Sequence, residues 1–103
     1  MYKIEYLQTA KDDMDNIIKY ISYKLHNPIS ATKLATDFIK EINNVVIFPY
    51  GNNEYLPYKK LKNKYRKTKV KNYLIFYIIN EQTKTIIIAR VLYQRRNIKN
   101  ILY

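Results

Sequence analysis

The chain has no cysteine, a single histidine (His26) and a single glycine (Gly51), and each scarcity removes a class of chemistry. Without cysteine there is neither a disulfide framework nor a thiolate-held metal, which fits a reducing compartment. One glycine leaves no glycine-rich loop to cradle a phosphate. One histidine, at a helix terminus, cannot make the histidine acid–base pair of common ribonucleases. No apolar run approaches the ~20 residues that cross a bilayer, and no signal-peptide h-region opens the chain. The expectation is one domain, residues 1–103, soluble and cytoplasmic, without membrane contact.

Acidic residues are scarce too, and unevenly so. Residues 1–58 hold six lysines against seven acids, whereas residues 59–103 hold thirteen Lys and Arg against Glu81 alone. The net charge of +11 is therefore concentrated in the second half. A lysine-rich codon bias explains a uniform excess. A lopsided one reads as an electrostatic footprint for nucleic acid or an acidic protein, with a solvated lysine face as the alternative.

What is abundant is β-branched and aromatic residue. Residues 73–79 are apolar or aromatic throughout, residues 85–93 nearly so, and the polar loop 80–84 between them suits a β-hairpin. A buried helix reads similarly over seven residues, but the isoleucine density favours strands. A run without alternation implies cover on both faces, so the two strands should be central, with Phe76 and Ile87 in the core.

Residues 2–7 read as a half-buried strand. Thr9 to Asp12 resembles a capping box, followed by Met14, Ile17, Ile18, Ile21 and Leu25 at helical spacing, with Asp12, Asp13 and Asp15 in the first turn. Asn27 as N-cap and Pro28 at the first helical position start a second helix. It carries Ala31, Leu34, Ala35, Phe38, Ile42 and Val45 and ends near Val46, before Pro49. A loop follows to Pro57, and residues 58–71 then hold eight basic residues and no acid. Tyr65 to Val70 reads as an exposed strand, and Ile98, Ile101 and Leu102 form an apolar tail. The order is β-α-α-β-β-β.

The residues with chemistry to offer are cations with interleaved tyrosines. Lys59, Lys60, Lys62, Lys64, Tyr65, Arg66, Lys69, Arg90, Tyr93, Arg95 and Arg96 form a candidate surface for nucleic acid or an acidic partner. Guanidinium groups match phosphate, and tyrosine faces accept unpaired bases. Glu54 and Glu81 have no partner carboxylate in sequence and read as solvated. No metal-ligand spacing and no cofactor motif is present, so none is expected.

Lys71-Asn72-Tyr73-Leu74-Ile75-Phe76-Tyr77, with Ile86 through Asn97, resembles the closing signature of the RelE/ParE toxins. There a basic strand leads to an xYxxxY strand and an ending like I-x-R-V-x-H-x-R-R-D. The resemblance implies an α+β fold, a mostly antiparallel four-stranded sheet with a helical hairpin on one face. It also implies a toxin of a bacterial type II toxin–antitoxin (plasmid stabilisation) system, held by a small cognate antitoxin, and the charge layout places that antitoxin's acidic or amphipathic segment along the hairpin and its basic rim. The family's RelE branch cleaves mRNA on the ribosome; its ParE branch poisons DNA gyrase. Where RelE-like nucleases have an arginine in the third strand this chain has Leu74, and Tyr93 takes the place of the family histidine. If the chain is RelE-like, the resemblance implies Arg66, Lys69, Arg95 and Arg96 as catalytic, with Tyr103 near a nuclease tyrosine. An apolar side chain cannot bind phosphate, and one lost cationic contact costs on the order of 10²-fold in rate. The expectation is a ParE-like, non-nucleolytic toxin. The alternatives are a metal-independent mRNA endoribonuclease of the RelE kind and a basic nucleic-acid-binding module without toxicity.

Overall fold

The computed structural model describes residues 1–55, 63–96 and 98–102. In chain order it contains β1 (Lys3–Tyr6), α1 (Gln8–Lys19) continued by a π-helical turn (Tyr20–Lys24), α2 (Pro28–Ile47), β2 (Arg66–Val70), β3 (Tyr73–Asn80), β4 (Thr85–Tyr93) and α3 (Ile98–Leu102). The strands lie in the order β1-β4-β3-β2. β1 runs parallel to β4, and the other two pairs are antiparallel. The apolar hairpin is thus central, as its unbroken hydrophobicity requires. No described helix is long and apolar enough to cross a membrane.

Both faces of that hairpin are covered, and this is why its strands do not alternate. On one face Ala10 of α1 and Leu34, Phe38, Ile42 and Val45 of α2 pack against Val70, Ile75, Tyr77, Ile86, Ile88 and Val91. On the other, a smaller core gathers Tyr65, Phe76, Ala89, Leu92 and Leu102, with Leu74, Ile78, Ile98 and Ile101 against it. The apolar tail is therefore a short helix that closes the second face. Ile87 departs from expectation: it is half-buried, because its neighbour across the outer pairing is Glu5 of the exposed strand β1.

The joint between the helices follows the sequence closely. Asn27 caps α2 by accepting the Ser30 N–H at 3.1 Å, with Pro28 next. His26 turns the chain there with φ of 51°, and Lys71 and Lys84 adopt the same left-handed conformation in the two hairpin turns. With no glycine at these places, each residue carries a conformational cost of about 1 kcal/mol that the flanking elements must offset.

The start of α1 differs from the capping box. The helix begins at Gln8 after an extended Leu7, with no side-chain cap and no acid in its first turn. β1 must stay in register with β4, through Leu7 N–H donating to the Ile88 carbonyl at 3.0 Å, and this sets where the helix can begin. Thr9 then donates to the Ala89 carbonyl at 2.8 Å instead of capping. Met14, Ile17, Ile18 and Ile21 face the core as their spacing predicts, whereas Leu25 is exposed after the π-helical turn.

Candidate functional site

The site begins with a β-bulge. Phe76 pairs with Arg90 and Tyr77 with Ile88, which leaves Ala89 as an extra residue in β4. β1 pairs no further than Ile88, so from Ala89 onward the outer edge of β4 needs other partners. α1 supplies them. Asp13 Oδ2 accepts the Val91 N–H at 3.0 Å, and its carboxylate takes Arg90 Nε at 2.7 Å and Nη2 at 2.9 Å. The bond from Asp13 raises the pKa of Arg90 above the ordinary arginine value, against a smaller opposing effect of burial. Arg90 is thus a half-buried, two-pronged clamp between strand and helix.

Beside the clamp opens a cleft of about 620 Å³. Asn16, Ile17 and Tyr20 wall it on the helix side, and Tyr73, Val91 and Tyr93 on the sheet side, with Arg96 among its lining residues. Tyr73 meets Phe38 edge-on at 5.8 Å and Tyr93 at 5.7 Å between ring centroids, which fixes the sheet-side wall. Burial, then the neighbouring Tyr93 and Tyr20, raise the Tyr73 pKa, so its phenol remains a neutral hydrogen-bonding group. Tyr20 opens the π-helical turn, a local geometry that recurs at functional sites. After β4 the chain turns through an Arg96 N–H bond to the Tyr93 carbonyl, leaving Arg95 and Arg96 exposed without ion pairs among the described residues.

The other cations are dispersed. Successive β residues point to opposite faces, so Arg66 and Lys69, three apart on β2, do not share one. Arg66 is held by the Asn52 carbonyl at 2.6 Å and lies 4.9 Å over the Tyr50 ring. Lys69 is exposed on the far face, opposite Leu74 in register. Leu74 itself packs against the second core. Tyr65 is buried with its ring edge-on to Phe76 at 6.5 Å, so no base can stack on it. Lys64 is exposed. Lys59, Lys60, Lys62 and Tyr103 lie outside the described residues. His26 is exposed at the helical joint, and among the described residues no three His, Cys, Asp or Glu side chains are grouped to hold a metal.

Of the cationic set, the fold brings Tyr93 and Arg96 to the cleft, and Arg90 reaches it only through its bonds to Asp13. The sequence reading did not include Asp13, Asn16, Tyr20 or Tyr73 as site residues. Asp13 read as a helix-dipole acid, and its partner lies seventy-seven residues away, beyond any local signal.

Glu81 is exposed, in keeping with its reading as solvated, and is also a meeting point. It accepts the Tyr2 hydroxyl and binds Lys84 Nζ at 3.0 Å, while Lys84 lies 5.3 Å over the Tyr2 ring. The Tyr2 bond, then the Lys84 bond, lower its pKa below the ordinary 4.5. Its folded pKa lies below its unfolded one, so this contribution to stability is fully present above about pH 4.5 and disappears as pH falls through the folded value. Glu81→Gln should flatten the acid limb of the stability–pH curve, measured by urea melts; an unchanged limb would refute the linkage.

A helical hairpin on one face of a four-stranded mixed sheet is the architecture of the RelE and ParE toxins. The toxin fold in the structure titled "Chromosomal ParDE TA system from P. aeruginosa" superposes with a TM-score of 0.72 at 16% identity, covering 90% of this chain and 96% of that one. The isolated E. coli RelE toxin gives 0.60 at 14%, covering 99% and 100%. The intact E. coli RelBE toxin–antitoxin complex gives 0.59 at 13%, covering 93% and 100%. Residues 4–98 match the family model of the ParE toxin of the type II toxin–antitoxin system parDE. The chain belongs to that family and is a type II toxin. No curated protein sequence gives a significant match.

Proposed function

We propose that this toxin arrests growth by acting on DNA gyrase, or on another target reached without cutting RNA, and that a small cognate antitoxin neutralises it in the cytoplasm. One observation carries the reading. The residues a RelE-like nuclease would need do not converge: Arg66 and Lys69 lie on opposite faces of β2, and the neighbour of Lys69 is the apolar Leu74. A phosphoryl transfer without metal depends on several cations aimed at one phosphate, and this arrangement sets Lys67 and Lys69 beside the apolar Leu74 with Arg66 on the other face. The likeness to ParDE and RelBE assemblies supports the antitoxin partner.

The test is expression of the chain from a tight promoter, with RNA ends and plasmid topology read in the same cells. Intact messages, DNA damage and trapped gyrase are the expected result, with growth restored by co-expression of the cognate antitoxin. Messages cut within ribosome-covered codons would overturn the proposal in favour of the endoribonuclease.

A further inference from the structure

The cleft between α1 and the end of β4 has no part in the gyrase reading, yet its chemistry is specific. Three tyrosine rings from three elements, Tyr20, Tyr73 and Tyr93, surround a space of about 620 Å³, within the range of ligand pockets. Its one acid, Asp13, is neutralised by Arg90 and the Val91 N–H. The uncompensated charge of the described lining is therefore positive, on Arg96, with Arg95 beside it. Asn16 adds an amide that can both donate to and accept from a ring edge.

We propose that this cleft seats one unpaired nucleotide of a nucleic-acid single strand, its base among Tyr20, Tyr73 and Tyr93 and its phosphate on Arg96. Aromatic walls with a cation at the mouth are the elements by which proteins hold single strands. A paired base cannot enter, because the rings line a recess between helix and sheet. An extended acidic peptide is the competing occupant and fits less well. The edge of β4 at Ala89 and Val91 is already bonded to Thr9 and Asp13, so a peptide cannot add there as a strand. The site is separate from Lys69 and Leu74 on the far face, and the assignment does not depend on the toxin's cellular target.

The experiment is fluorescence anisotropy of the purified chain with a labelled short oligothymidine, its duplex with oligoadenine, free thymidine monophosphate and an acidic peptide of equal charge. The single strand should bind tightest. Tyr93→Leu should weaken it about tenfold or more, the scale of losing one base–aromatic stack, while Tyr93→Phe retains binding. Arg96→Ala should lower the slope of log affinity against log salt by about 0.7, one phosphate contact on a single strand. Tyr93 and Arg96 are exposed, so unchanged thermal melts will separate binding loss from unfolding. Full affinity in Tyr93→Leu, equal affinity for duplex and single strand, or equally tight binding of the free nucleotide or the peptide would each overturn the assignment. Because binding is read on the purified chain, its failure is distinguishable from failure of the growth assay.

Discussion

Asp13→Ala is expected to lower the unfolding free energy by about 2–4 kcal/mol, far above the effect of a surface ion pair. The carboxylate does two things at once. It pairs with Arg90, whose side chain is 23% exposed against 12% for Asp13, and it satisfies the N–H of Val91 at an edge where β1 has ended. Alanine leaves a guanidinium largely out of water without its partner, and a strand N–H without an acceptor. Asp13→Asn keeps one acceptor and should fall in between. Asp15 provides the internal control. Its pair with Lys19 is more than 60% exposed on both sides, so Asp15→Ala should change stability by less than about 0.5 kcal/mol. Denaturant melts of the three variants decide it, and an Asp13→Ala loss no larger than that of Asp15→Ala would refute the clamp. The raised pKa of Arg90 works in the same direction. Its contribution is complete below the ordinary arginine value and is lost only as pH rises through the still higher folded value, so alkali will not open the clamp within the usual range.

Phe76→Ala should cost about 3–5 kcal/mol, the range for a large aromatic removed from a closed core. Phe76 is fully buried in the second core, with the rings of Tyr55 and Tyr65 edge-on to it at 5.3 and 6.5 Å. The two faces of the sheet are filled separately, so the helices cannot collapse into the cavity it leaves. Ile87→Ala, one strand nearer the exposed β1 edge, should cost about 1–2 kcal/mol, because part of its side chain already meets water. The ordering of the two losses in denaturant melts is the measurement. Equal losses would mean that the second face is not closed as described.

The central hairpin, the helical hairpin and its joint were legible because their causes are local. Unbroken runs of isoleucine and aromatics demand cover on two sides, and Asn27-Pro28 sets a helix start through bonds spanning three residues. The capping box was misleading for the same reason inverted. Thr9 had a local bond available, but the parallel pairing of β1 with β4 placed a free carbonyl of Ala89 within its reach. Charge was legible as a total and a bias, not as a set of contacts. Arg66, Lys69 and Arg90 look alike in sequence. The two-residue alternation of β2 sends the first two to opposite faces, and the bulge at Ala89 turns the third onto α1.

By itself, then, the sequence determined the order of strands and long helices and the central place of the hairpin, which rest on periodicity and short-range chemistry, while the α+β sheet architecture came with the resemblance carried by residues 71–77 and 86–97. Tertiary structure alone decided which cations are free, that Tyr65 is core while Tyr93 lines a cleft, and that Asp13 holds β4. Those outcomes depend on register between segments some eighty residues apart, and no local pattern encodes a register that only the packed sheet enforces.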